Sequence, residues 1–258
     1  MKPNKSLGQH WLNDSATLDA IVAAADIQST DTVLEIGPGL GTLTAKLAKK
    51  AGHVVAVEFD RLLANMLPTR VQSKNLEVIE GDIIHFDLSR LPKSYKVVAN
   101  VPYYITSKIV QKLMTASNRP STTVLLVQKE VAERLAAQPG SMSILTVSAQ
   151  LFAEVSLGDV VPPEMFIPPP KVDSQVVILK TRPEVLFSDI DEKQFFRVVK
   201  AGFSERRKKL RSSLSGSFNI EKSQADTWLQ KAGINPEARA QELTLDEWYS
   251  LVKTNPVN

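Results

Sequence analysis

The chain has 258 residues, with 31 basic against 28 acidic side chains for a net charge of +3, three histidines and no cysteine. The absence of cysteine excludes disulfides and thiolate chemistry, and three scattered histidines give a metal site little support, so none is expected. No apolar run approaches the roughly 18 residues of a membrane span, and Met1-Lys2-Pro3-Asn4-Lys5 leads into Gly8-Gln9-His10 without an apolar signal core, so a cytoplasmic protein with no membrane partner is expected.

The first predicted element is a helix within residues 14–27, from the periodicity of Leu18, Ile21, Val22 and Ala25, with Asp14 or Ser15 as its N-cap. Residues 32–36 read as an apolar strand running into Gly37-Pro38-Gly39-Leu40-Gly41, and residues 42–50 as a helix. A second strand over 53–57 ends at Glu58, and a helix follows over 61–71. A third strand over 76–79 ends at Glu80-Gly81-Asp82. Residues 95–99 form a fourth, buried strand that runs into Asn100-Val101-Pro102-Tyr103, followed by a helix over 107–116. A fifth strand covers 123–128, and another helical stretch begins at 131–137. Strands alternating with helices mean βαβ units and a mostly parallel sheet, the α/β class.

Beyond residues 143–152 the pattern changes. Residues 155–161 and 172–179 are apolar strands joined by a proline-rich stretch too short for a helical crossover, which predicts antiparallel neighbours at the sheet edge. Arg182-Pro183 marks the expected boundary between a first domain over 1–182 and a small helical domain over 183–258. In the latter, residues 191–214, 221–232 and 244–253 read as helices.

Four strand ends carry groups that a nucleoside ligand uses. The first holds Glu35-x-Gly37-x-Gly39-x-Gly41, and the second ends in Glu58, 21 positions after Gly37, the usual place of an acid that binds ribose hydroxyls. A dinucleotide fingerprint wants its third glycine where Thr42 stands, which disfavours a dehydrogenase. A sulfonium cofactor without a phosphate has no such need: the loop would hold its methionine part, Glu58 its ribose and Asp82 its adenine amine. The fourth end, Asn100-Val101-Pro102-Tyr103, suits methyl transfer to an exocyclic amine. The Asn100 side-chain oxygen and the Val101 carbonyl would each accept an N–H and draw the lone pair back onto nitrogen, while Tyr103 stacks on the base.

These residues resemble the S-adenosylmethionine-dependent methyltransferases. More narrowly, the chain resembles the bacterial ribosomal RNA adenine N6,N6-dimethyltransferases, which modify two adjacent adenines near the 3′ end of small-subunit (16S) rRNA. The resemblance runs from residue 5 to about residue 250. It is carried by the arm Lys5-Ser6-Leu7-Gly8-Gln9-His10-Trp11-Leu12, by Glu35-Ile36-Gly37-Pro38-Gly39 with Gly41, Leu43 and Thr44, and by Asn100-Val101-Pro102-Tyr103-Tyr104-Ile105. The segment Phe166-Ile167-Pro168-Pro169-Pro170-Lys171-Val172-Asp173-Ser174 matches a stretch nearly diagnostic of rRNA adenine methylases. The resemblance implies a Rossmann-like fold with S-adenosylmethionine as cofactor, bound through His10, Leu12, Gly37, Glu58, Asp82 and Asn100. It implies target-adenine contacts at Asn100 and Tyr103, with Phe166 as a second stacking face. Trp11 and Val101 depart from the family's usual Phe and Leu, the first keeping a packing role and the second lending only its backbone.

Residues 200–211 hold six basic residues and one acidic residue, and Phe203, Leu210 and Leu214 are expected to face a helical bundle. Arg206, Arg207, Lys208, Lys209 and Arg211 are therefore expected to contact RNA phosphates, which position RNA without reading its bases. The expected partner is small-subunit rRNA or the immature small subunit, the expected role includes subunit biogenesis, and the enzyme is expected to be a monomer. Two alternatives stand beside this reading: a large-subunit rRNA methylase of the antibiotic-resistance type, and a non-catalytic assembly or transcription factor on the same fold.

Overall fold

Alternating β-branched strands and amphipathic helices assemble as the sequence pattern predicts. A computed structural model describes residues 8–205 and 207–256, and its contacts divide the chain into two compact units. The first comprises the chain up to Glu133 together with Ala153–Thr181, and the second comprises Arg134–Phe152 and the chain from Arg182 onward, so residues 134–152 group with the helical unit and not within a first domain over 1–182 as expected.

The first unit is built on a seven-stranded sheet of β2 (Thr32–Ile36), β3 (His53–Glu58), β4 (Leu76–Glu80), β5 (Lys96–Asn100), β6 (Thr122–Gln128), β7 (Ala153–Val161) and β9 (Ser174–Thr181), in the order β4-β3-β2-β5-β6-β9-β7. The five strands from β4 to β6 pair in parallel. Strand β9 is antiparallel to both β6 and β7, so the reversed strand lies one position in from the edge and β7 forms the edge itself. Two further short strands, β1 (Trp11–Leu12) and β8 (Phe166–Ile167), pair antiparallel with Leu12 opposite Phe166.

Helices α1 (Ser15–Ala24), α2 (Thr42–Lys50), α3 (Arg61–Val71) and α4 (Thr106–Thr115) bury their apolar faces on this sheet, and α5 (Lys129–Leu135) follows β6. Of the two N-cap candidates Asp14 takes the role, accepting the Thr17 N–H at 2.7 Å, and Ser15 is the first residue of α1. Strands β2, β3 and β5 are nearly solvent-free, as parallel strands covered on both faces must be. The strand order reverses between β2 and β5, and this switch point is where an open α/β sheet forms a crevice at its strand ends.

The second unit contains α6 (Ile144–Gln150), α7 (Glu192–Gly202), α8 (Leu210–Phe218), α9 (Lys222–Lys231) and α10 (Leu245–Lys253). Trp228, Trp248, Phe195 and Leu214 fill its core. The single helix expected over residues 191–214 is in fact two, α7 and α8, broken at residues 203–209. At Gly202 a Cβ would lie 2.4 Å from the Trp248 ring, and the Leu210 N–H is taken by the Ala238 carbonyl at 2.8 Å. Tertiary packing thus ends α7 and restarts the chain at α8, against a periodicity that runs through. Arg207, Lys208 and Lys209 therefore lie between the two helices and Arg211 in the first turn of α8, rather than along one helix face.

Candidate active site

The loop after β2 and the tetrapeptide after β5 lie at the ends of adjacent strands, on the two sides of the switch point. Between them is a cavity of about 430 Å³, lined by Gly37, Gly39, Glu58, Asp82, Asn100 and Tyr103 among others. The structure thus gathers the four strand ends singled out in the sequence, with His10 and Leu12 of the arm joining the lining. Gly37 has φ +65° and a Cβ there would meet nothing nearer than Pro102 Cδ at 3.9 Å, so its face toward the cavity is bare backbone. That left-handed backbone is one glycine adopts without the steric cost of a Cβ.

The arm lies across this cavity. The Leu12 carbonyl accepts the Thr42 hydroxyl at 3.2 Å, and the Gln9 amide donates to Asp60 Oδ2 at 3.3 Å. The Trp11 indole rests on Gly39, where a Cβ would come within 3.1 Å of the ring. The Asn100 Nδ2–H donates to the His10 carbonyl at 3.0 Å. That bond fixes the amide's orientation and leaves Oδ1 as its acceptor for a ligand. The Val101 N–H bonds the Leu126 carbonyl at 3.4 Å, which holds the next peptide in place. His10 donates from Nδ1 to the Pro168 carbonyl at 2.8 Å, and its ring stacks on Tyr103 at 5.8 Å and 17°. The Tyr103 hydroxyl shares a hydrogen bond of 2.6 Å with Ser174 Oγ, and burial raises its pKa, an effect the Ser174 bond partly offsets.

Glu58 is buried and bridges two loops: Oε2 accepts the Gly39 N–H at 3.0 Å and Oε1 accepts the Asp60 N–H at 2.8 Å. Burial raises its pKa, and these backbone donors oppose the rise. Glu35 is buried more completely, and its pKa is pushed up to about 8, first by burial and further by the Glu58 charge. Glu35 Oε2 has no hydrogen-bond partner although it belongs to the cavity lining. Asp82 is partly committed to its own turn, accepting the Ile84 N–H at 2.9 Å and pairing with His85 Nδ1 at 3.0 Å.

Phe166 is placed elsewhere. Its side chain is 2% exposed and packs with Leu12, Leu18 and Ile21 in the core cluster rather than on the cavity. The register of β1 against β8 accounts for this, since it seats Phe166 opposite Leu12 with the same buried face. In this arrangement the ring that faces Tyr103 is His10. Of the basic residues, Arg206 lies outside the described residues. Lys208 pairs with Glu205, Lys209 with Glu237, and Arg211 with Asp226 at 3.6 Å and Glu237 at 3.1 Å. Arg207 is exposed without a carboxylate partner among the described residues.

Several lining residues escaped the sequence reading. Phe59 and Tyr104 are 62% and 63% exposed, and Lys108, Ile83 and His85 join them around the cavity. Phe59 follows Glu58 directly, and a large aromatic just past an acidic strand end was the available signal. Among the described residues no group of three or more His, Cys, Asp or Glu is arranged to hold a metal ion, and no helix is long and apolar enough to cross a membrane.

The family profile of ribosomal RNA adenine dimethylases matches residues 1–255. The chain is 40% identical over 255 residues to the ribosomal RNA small subunit methyltransferase A of Dehalococcoides mccartyi, covering 97% of this chain and 88% of that protein. It is 42% identical over 278 residues to the protein of that name from Synechocystis sp., covering 99% and 97%. Among solved structures, a dimethyladenosine transferase from Plasmodium falciparum superposes with a TM-score of 0.78 at 30% identity, over 94% of this chain and 96% of that one. The 23S rRNA methyltransferase ErmE superposes with a TM-score of 0.75 at 28% identity, over 95% and 98%.

Proposed function

The chain belongs to the ribosomal RNA adenine dimethylase family, and from that premise we propose that it dimethylates N6 of two adjacent adenines near the 3′ end of small-subunit rRNA. It is an S-adenosylmethionine-dependent methyltransferase. We read it as a cytoplasmic monomer acting on the immature small subunit and contributing to that subunit's biogenesis.

The residues fit the cofactor. A 430 Å³ cavity is of the size that small-ligand sites take, the bare backbone at Gly37 admits close approach, and Glu35 Oε2 is a buried polar atom without a partner. His10, Leu12, Gly37, Glu58, Asp82 and Asn100 would hold it, Glu58 through the lone pairs that its two backbone bonds leave free. When bound, S-adenosylmethionine supplies a methyl group on a positively charged sulfur.

What the chain's own residues contribute is alignment and polarisation. Asn100 Oδ1 and the Val101 carbonyl accept the N–H bonds of the target amine, which draws its lone pair out of ring conjugation toward nitrogen. Tyr103 holds the base against its ring. The nitrogen's proton becomes acidic once the amine is alkylated and leaves to water, so no strong base is needed. The observation that carries this reading is the Asn100 Nδ2–H bond to the His10 carbonyl, which orients the amide for the task. Phosphate contacts from Arg206, Arg207, Lys208, Lys209 and Arg211 would position the RNA. The ion pairs of Lys208, Lys209 and Arg211 leave Arg207 the readiest contributor among the described residues.

The test offers labelled cofactor to unmethylated small subunits, large-subunit precursors and naked RNA, followed by mass spectrometry of the nucleosides. Dimethyladenosine in small-subunit rRNA is the expected product. Label confined to large-subunit RNA would assign the enzyme to the antibiotic-resistance type, and no transfer to any of the three would point to an assembly factor.

A further inference from the structure

Tyr103 and Tyr104 are consecutive but lie in different surroundings. The first is half-buried, with its hydroxyl tied to Ser174 and its ring against His10. The second is 63% exposed, yet it lines the cavity. Its ring is backed by the arm at Gly8, whose missing Cβ would lie 3.5 Å from Tyr104 Cδ1, at a backbone of φ +61° that other residues rarely adopt. An aromatic ring braced on one side and open on the other is a ready stacking surface.

Four residues on, in the first turn of α4, Lys108 is exposed and lines the same cavity. Tyr104 lies in the 3₁₀ turn Tyr103–Ile105 that runs directly into α4, and both residues line the one cavity. Lys108 has no carboxylate partner among the described residues, unlike Lys46, Lys96, Lys209 and Lys253, each of which sits in an ion pair. An ammonium without a carboxylate partner among the described residues and an exposed aromatic, both lining one cavity, suit a nucleotide: the base takes the ring and the phosphate takes the charge.

We propose that Tyr104 and Lys108 form a second subsite, for the nucleotide next to the adenine being methylated. Tyr104 stacks on that neighbour's base, and Lys108 pairs with the phosphate between the two nucleotides. The inference rests on the adenine-methylating reading of the cavity. It assigns recognition of a dinucleotide step to the protein's own rim, so that either of two adjacent adenines has a seat while the other is modified.

The test compares wild type with Tyr104→Ala, Tyr104→Phe and Lys108→Gln on unmethylated small subunits, with adenosine and adenylyl-3′,5′-adenosine as competing probes. Tyr104→Ala should raise KM for the subunits about tenfold to a hundredfold, the scale of one lost base stack. Its kcat and its affinity for S-adenosylhomocysteine should stay within about threefold of wild type. Tyr104→Phe should behave as wild type, since stacking needs the ring and not the hydroxyl. Wild type should bind the dinucleotide more tightly than adenosine, and Tyr104→Ala should lose that preference. Lys108→Gln should lower the salt slope of RNA binding by about 0.7, the value for one single-strand phosphate contact.

A Tyr104→Ala enzyme with unchanged KM and an intact dinucleotide preference would overturn the proposal. So would equal weakening toward both probes, which would make Tyr104 part of the target-base seat, or a loss confined to cofactor affinity. Because Tyr104 is mostly solvent-exposed, its replacement should leave the melting temperature unchanged. Failure of the wild type to methylate small-subunit adenine would instead refute the underlying function, independently of every variant.

Discussion

Replacing Asn100 with Ala removes two interactions with separate tasks. One is the bond from Nδ2–H to the His10 carbonyl, 3.0 Å long and part-buried. Such a bond contributes about 0.5–1.5 kcal/mol, so releasing the arm should weaken cofactor binding by roughly two- to tenfold. The other is the Oδ1 acceptor aimed at the target amine. Losing one aimed polar group of this kind costs about 10²–10³ in rate. The two effects are separable: single-turnover transfer at saturating cofactor on unmethylated small subunits reads the second, and calorimetric titration with S-adenosylhomocysteine reads the first. Asn100→Asp sharpens the test, because it keeps an acceptor but sets a carboxylate oxygen against the His10 carbonyl. It should recover part of the chemical step while cofactor affinity stays low. A single-turnover rate for Asn100→Ala within threefold of wild type, or a deficit lying wholly in cofactor affinity, would refute the assignment of Oδ1 to the amine.

Two further predictions concern charge. Glu35 has its pKa pushed up to about 8 against an ordinary value of 4.5, so between these values the folded state holds a proton that the unfolded state has released. Stability of the cofactor-free protein should therefore fall as pH rises from about 4.5 to about 8, with a slope approaching 1.4 kcal/mol per pH unit mid-window. Urea unfolding of Glu35→Gln should lack this component, and identical pH dependence in variant and wild type would show that Glu35 does not titrate there. Arg207→Ala should reduce the salt slope of RNA binding by about 0.7–0.9, and more than Lys209→Ala does, because Lys209 is already paired with Glu237. An unchanged slope for Arg207→Ala would remove this residue from the RNA interface.

Much of the molecule was legible because its signals are local. Gly37, Glu58, Asp82 and Asn100 stand at the ends of strands whose apolar runs are unmistakable, and a parallel sheet necessarily brings consecutive strand ends to one edge. The proline-rich link between β7 and β9 likewise announced an antiparallel pair, since no crossover helix fits in it. Those features follow from periodicity, chain length and backbone chemistry over a few residues.

Where the structure departs from the sequence reading, the cause lies in contacts distant in sequence. That Arg134–Phe152 belongs with the helical unit follows from contacts such as the Gly140 N–H to the Gln241 carbonyl, 101 residues away. The break between α7 and α8 arises where Gly202 meets Trp248, and no periodicity within 191–214 could announce it. The burial of Phe166 was settled by the pairing of β8 with the arm, and the seat of His10 on Tyr103 by the same strap. The strand ends that line the cavity were therefore legible in sequence, because apolar runs and glycine-bearing turns are short-range properties, whereas the strand order that sets them side by side is not. Which aromatic rings reach the cavity was decided only by tertiary structure, because exposure depends on what the rest of the chain lays over each ring.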